Sequence, residues 1–251
     1  MKNIYSSSKA SSLACLIAVA CLLTCCSPDR ETLSPTSEIM ESDVPYLGRP
    51  GDSLPFNSSN EFDLAGKIHN ELLTLYYEQS PLPSTAAEIA SSVESIATSN
   101  NAFALLRPPS YLPLTTGQVT KMDGPHYGVS QIINDSGLST PAKASLSDFV
   151  TTIEDYISAN ENYDTVYNYC VAYEATVTAD PVLTAHDKEV ILTTAAIARH
   201  SAHFRKKRPK KNTDPDWDWL TVNVIGSSEG AAYGTAEAIT YGLAGGIVQN
   251  K

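Results

Sequence analysis

The sequence predicts an all-α fold: a single multi-helix bundle with a glycine-rich central helix at its C-terminus, preceded by a disordered N-terminal tether. Three observations carry that expectation. Apolar residues recur at three- and four-residue spacing along most of the chain after residue 60. No alternating strand pattern of any length appears. Small residues repeat every four positions near the C-terminus. Among 251 residues, 42% are hydrophobic and 18% charged, so a packed core can form. The 17 Lys and Arg stand against 28 Asp and Glu, a net charge of −11. That balance argues against nucleic acid as a partner, because phosphate binding needs a basic face.

The first helix opens at Asn60, read as an N-cap with Asp63 at the third helical position. Leu64, Ile68, Leu72, Leu75 and Tyr76 then share one face. The next starts near Ser84 or Thr85, where Glu88 completes a capping box and Ile89, Val93 and Ile96 follow. From Asn100 to Gly128 the pattern fails among Pro108, Pro109, Pro113, Gly117, Gly124 and Pro125. A loop of that length is expected to be functional or mobile. Residues 126–136 read as a short helix stopped by Gly137. Thr140 and Pro141 open another, with Leu146, Phe149, Val150, Ile153 and Ile157 as its stripe. Tyr163, Val166, Cys170, Tyr173 and Val177 make the next face. Thr184 with Asp187 caps a longer helix carrying Val190, Ile191, Ile197 and Phe204 into a basic run that ends at Pro209.

Gly226, Gly230, Gly234, Ala238, Gly242 and Gly246 recur every four residues. Glycine costs a helix about 1 kcal/mol relative to alanine, so the row requires a compensating contact. On one helix it would trace a shallow spiral groove into which a neighbouring helix packs closely. The second reading is a membrane-active small-xxx-small helix. Glu229 and Glu237 count against that insertion.

The N-terminus carries an address. Lys2 and Lys9 precede the apolar run Leu13 to Thr24, too short to span a bilayer. The run ends in Leu23-Thr24-Cys25-Cys26, which resembles a bacterial lipobox with Cys26, or else Cys25, as the acylated residue. Residues 1–25 then form a lipoprotein signal peptide, 26–59 a flexible Ser- and Pro-rich tether and 60–251 the helical domain. Acyl chains would hold the protein on a membrane, and the tether would give about 30 Å of mean reach. Cys170 is left without an intrachain partner, so no disulfide framework is expected.

Two segments together carry a resemblance. Asn60-Glu-Phe-Asp63-Leu-Ala-Gly66-Lys-Ile-His69-Asn70-Glu71 is similar to the Asn-x-x-Asp-x-x-Gly-x-x-His-Asn-Glu opening of uncharacterised Bacteroidetes lipoproteins and exported proteins. The run Ala195 to Ser201, with a later Trp and the glycine row, resembles the latter half of that group. The resemblance implies origin and a helical fold, and no activity.

Candidate chemistry centres on His69, Asn70 and Glu71. His69 borders the apolar face, where it is either a ligand or proton-transfer residue or a buried histidine bracing a neighbour. His200 and His203 are one turn apart, but no carboxylate stands at a companion spacing, so no metal site or cofactor is expected. The basic run Arg205 to Lys211 reads as a solvated helix corner, with Trp217 and Trp219 nearby.

The expected function is a lipid-anchored binding or structural module of the cell envelope, at the outer membrane or the cell surface. Its partners would be the membrane and an envelope protein or glycan. One alternative is a membrane-active, toxin-like protein built on the glycine row. Another is a hydrolase joining His69, the 100–128 loop and an acid such as Glu71 or Asp123.

Overall fold

The computed structural model describes residues 54–124, 127–207 and 216–249. Among them are ten helices and no strand. They are α1 (Asp63–Tyr77), α2 (Ala86–Ser99), α3 (Asn101–Leu106), α4 (Thr116–Met122), α5 (Val129–Asp135), α6 (Thr140–Ser158), α7 (Tyr163–Ala179), α8 (Ala185–Lys207), α9 (Asp216–Ala231) and α10 (Thr235–Val248). The all-α bundle is therefore observed. The signal peptide and nearly all of the tether lie outside the described residues. So do residues 208–215 and the side chains of Arg205, Trp217 and Trp219.

Local chemistry sets most helix starts. Thr85 and Glu88 form the expected capping box at α2. Thr184 and Asp187 cap α8 reciprocally: Asp187 N–H donates to Thr184 Oγ1 at 3.1 Å, and Thr184 N–H donates to Asp187 Oδ2 at 3.0 Å. At α6 the cap is Ser139, one residue before the expected Thr140, and Pro141 lies in the first turn. The 100–128 segment departs from the expected loop. Asn100 caps α3, and a Thr115–Gln118 capping box starts α4. The prolines confine the irregular backbone to the stretch between these helices.

Asn60 is not the cap of α1. Its Oδ1 accepts from Phe62 N at 2.9 Å, while its amide reaches away from α1 to α7 and α8. The buried face of α1 also turns relative to the expected one. Leu64 and Leu75 are exposed, and Ala65, Gly66, Ile68, His69, Leu72 and Tyr76 are buried. The cause is Gly66: a Cβ there would lie 2.5 Å from the Ala196 carbonyl oxygen, so α1 presents its glycine to α8 at backbone contact.

The glycine row is not one helix. The chain breaks at Gly234, with φ 155° and ψ 171°, a conformation only glycine adopts readily. α9 and α10 run antiparallel from that turn as a hairpin. A Cβ on Gly230 would lie 2.3 Å from the Glu237 carbonyl oxygen, and one on Gly226 2.5 Å from that of Tyr241. One on Gly245 would lie 2.9 Å from that of Val222. Each step of four down α9 matches a step of four up α10. Gly242 faces back, against Ser227 and Asn223. The expected groove for a neighbouring helix is thus the hairpin's own seam. Gly226, Gly230 and Gly242 line it, Gly234 makes the turn, and Gly246 is buried further along α10.

α8 runs through the middle, against α1, α7, α9 and α10. Its segment from Val190 to His203 is buried on all sides, which places several polar residues in the core.

Candidate functional site

The densest buried polar cluster lies where α1, α7 and α8 meet. Arg199 is fully buried on α8. Its guanidinium donates to Glu174 Oε1 on α7 through Nε at 3.3 Å and Nη2 at 3.1 Å, and to Asp63 Oδ1 on α1 at 2.5 Å. Glu174 also accepts from Asn60 Nδ2 at 2.9 Å and Asn57 Nδ2 at 2.6 Å. Asn60 Nδ2 donates as well to the Leu192 carbonyl at 3.0 Å. His200 Nε2 lies 3.3 Å from Asp63 Oδ1. Six side chains from three helices and the segment before α1 are therefore bound into one network.

The two segments that carried the sequence resemblance meet here. Asp63 takes Arg199 and His200, Gly66 takes the Ala196 backbone, and Asn70 Nδ2 donates to the His200 carbonyl at 2.6 Å. The spacing of Asp63, Gly66 and Asn70 places all three on one face of α1, toward α8. The motif thus describes a helix crossing.

The electrostatics follow from burial and pairing. Burial pushes the Asp63 carboxyl up, but the hydrogen bond with His200 and the Arg199 charge outweigh it and hold Asp63 below the usual carboxylate range. Burial disfavours the Arg199 cation, yet Glu174 and Asp63 carry its pKa above the ordinary arginine value. His200 is driven below the usual histidine range by burial, with Arg199 and Lys67 adding to that and Asp63 opposing it. At neutral pH the cluster holds a neutral imidazole beside an ion triad.

His69 is entirely buried, and its Nδ1 lies 3.3 Å from Asn70 Oδ1. Burial lowers its pKa to about 4, against the hydrogen bond with Asn70. The Gly242 backbone of α10 also opposes the shift, though less than Asn70 does, and Nε2 makes no hydrogen bond among the described residues. Glu71 stands apart, 4.0 Å from Lys67 and accepting from Asn100 Nδ2 at 3.3 Å. Asp123 lies exposed at the end of α4. His69, Glu71 and Asp123 therefore do not share one site. His203 packs edge-on against Tyr163, with ring centroids 5.1 Å apart, while His200 turns to Asp63. Among the described residues no group of three or more His, Cys, Asp or Glu is arranged to hold a metal ion. Cys170 is buried and uncharged, its thiol pKa pushed up by burial and by Glu174.

A second polar cluster holds the 107–115 segment. Glu237 on α10 accepts from Leu112 N at 2.8 Å. Glu94 on α2 accepts from Leu114 N at 2.8 Å and from the Tyr111 hydroxyl at 2.6 Å. Gln118 donates to the Tyr241 hydroxyl, and Lys121 to Glu229 at 2.7 Å. Glu229, Glu237 and Tyr241, spaced at multiples of four residues, thus anchor α4 and its preceding loop to the hairpin. An open groove of about 510 Å³ on α2 is lined by Gln79, Glu88 and Ser91, Ser92 and Ser95, and no residue of either cluster lines it.

Sequence reasoning passed over Glu174 and Arg199. A signal was present: Glu174 lies four residues after Cys170 and three before Val177, on the apolar stripe of α7. An acid at such a position needs a buried partner.

No protein-family model, curated protein or solved structure matches this chain.

Proposed function

We propose that the chain is a lipid-anchored cell-envelope protein whose helical domain acts as a binding or structural module at the outer membrane. The observation that carries this reading is the short apolar run ending in Leu23-Thr24-Cys25-Cys26 behind a lysine-bearing start. The domain geometry is compatible with it. Arg199, Glu174 and Asp63 are engaged with one another in a triad that joins three helices, an arrangement suited to rigidity. The hydrolase alternative loses support, because His69, Glu71 and Asp123 stand in different surroundings. The membrane-active alternative also loses support, because the glycines are occupied in the α9–α10 seam. No helix among the described residues is long and apolar enough to cross a membrane.

Radiolabelled palmitate tests the anchor. The wild-type chain, expressed in a bacterium that processes lipoproteins, takes up label and fractionates with the outer membrane. Cys25→Ala combined with Cys26→Ala loses both properties. Label persisting in the double variant, or absent from the wild type, overturns the reading.

A further inference from the structure

Residues 54–62 cross the ion network as a strap. Pro55 and Asn60 are buried, and the Phe56 carbonyl accepts from the Tyr167 hydroxyl at 3.0 Å. Asn57 donates through its side chain to Glu174 and through its backbone to Asp63 Oδ1, the latter at 3.2 Å. The Phe56 ring stands edge-on to the His200 imidazole, with centroids 5.6 Å apart. Asn57 and Asn60 clip the strap down, and Phe56 covers the histidine.

We propose that residues 54–62 are an acid-released strap, opened when His200 takes up a proton. The titratable and charged groups around His200 are Asp63, Lys67 and His69 of α1, Arg199 of its own helix and, behind Arg199, Glu174 of α7. The strap's one acid, Glu61, is exposed. With Nε2 donating to Asp63, a second proton falls on Nδ1, which has no acceptor among the described residues. The new charge would be shut away from water beside Arg199 and Lys67, with Asp63 already held by Arg199. Lifting Phe56 admits water to the ring and relieves that penalty. The proton therefore favours the open strap, and acid opens it. Released, nine residues add up to about 30 Å to the segment before the domain. Only this consequence, a longer reach from a membrane, rests on the anchorage proposed above.

Amide exchange on the full chain reads the strap directly. After correction for the intrinsic pH dependence of exchange, the opening constant at Asn57, Ser59, Asn60 and Phe62 rises between pH 7.5 and 5. Below pH 6.5 the slope approaches tenfold per unit and levels at the closed-state pKa. His200→Gln removes that slope, and His69→Gln, which removes a histidine facing α10, keeps it. Linkage is reciprocal, so Asn57→Ala, which weakens the clip, raises the His200 pKa read by NMR. A pH-independent opening constant overturns the proposal. So does an unchanged His200 pKa in Asn57→Ala, a measurement that stands even where His200→Gln fails to fold. A chain that takes up no palmitate yet opens with acid keeps the strap and loses the anchor.

Discussion

At the residue scale, the molecule turns on charges buried in pairs. Removing one partner of such a pair leaves the others unneutralised and typically costs about 3–5 kcal/mol. Arg199→Met strips Glu174 and Asp63 of their cation, so the unfolding free energy read from urea titration falls by an amount in that range. Arg199→Lys recovers only part of it, because one ammonium cannot reproduce the fork that meets two carboxylates. His69 gives the second prediction. Its folded pKa of about 4 lies below the unfolded value near 6.5, so the folded state binds fewer protons. The contribution is constant above pH 6.5 and is lost as pH falls from there toward 4. His69→Gln makes the acid limb of stability against pH shallower by about one proton, measured by urea unfolding between pH 7.5 and 4.5. An unchanged limb would show that other groups set the acid sensitivity.

At the element scale, the α9–α10 hairpin depends on absent side chains. Gly230→Ala drives a methyl onto the Glu237 carbonyl oxygen, backbone that cannot yield cheaply. Overpacking of this kind costs about 1–3 kcal/mol. Gly117 is the matched control: it lies in exposed helix, with nothing closer than 3.8 Å to the position of an added Cβ. Gly117→Ala therefore gains up to about 1 kcal/mol from helix propensity. Thermal unfolding of the two variants should shift in opposite directions, and a shift in the same direction would contradict the seam. The hairpin also explains why glycine spacing misled as to helix number. A four-residue repeat continues across the turn because Gly234 makes the turn, Gly226 and Gly230 line one side of the seam and Gly242 the other.

At the scale of the whole molecule, α8 and the hairpin form the common support. α1, α7, α9 and α10 all lie against α8, and its middle is inaccessible. Hydrogen exchange should be slowest in α1, α8 and α10, where opening requires global unfolding. It should be faster in 107–115, held chiefly by Glu94 and Glu237 and carrying the exposed Leu112. Equal protection in both regions would argue against this hierarchy.

The amino-acid sequence by itself determined the helical class, the starts of α2 and α8, and the stripe of α6. These depend on interactions within a few residues: capping hydrogen bonds and the 3.6-residue period. The Asn100 and Thr115–Gln118 caps are equally local, but the prolines and glycines on either side made the segment read as a loop. Only the tertiary structure decided that Asn60 clips α7 instead of capping α1, that the glycine row folds back on itself, and that Asp63, Glu174 and Arg199 share one site. Those residues are separated by more than a hundred positions or by whole helices. Their meeting is set by which helix faces approach to backbone contact at Gly66, Gly226 and Gly230, and periodicity along one helix carries no record of its partner.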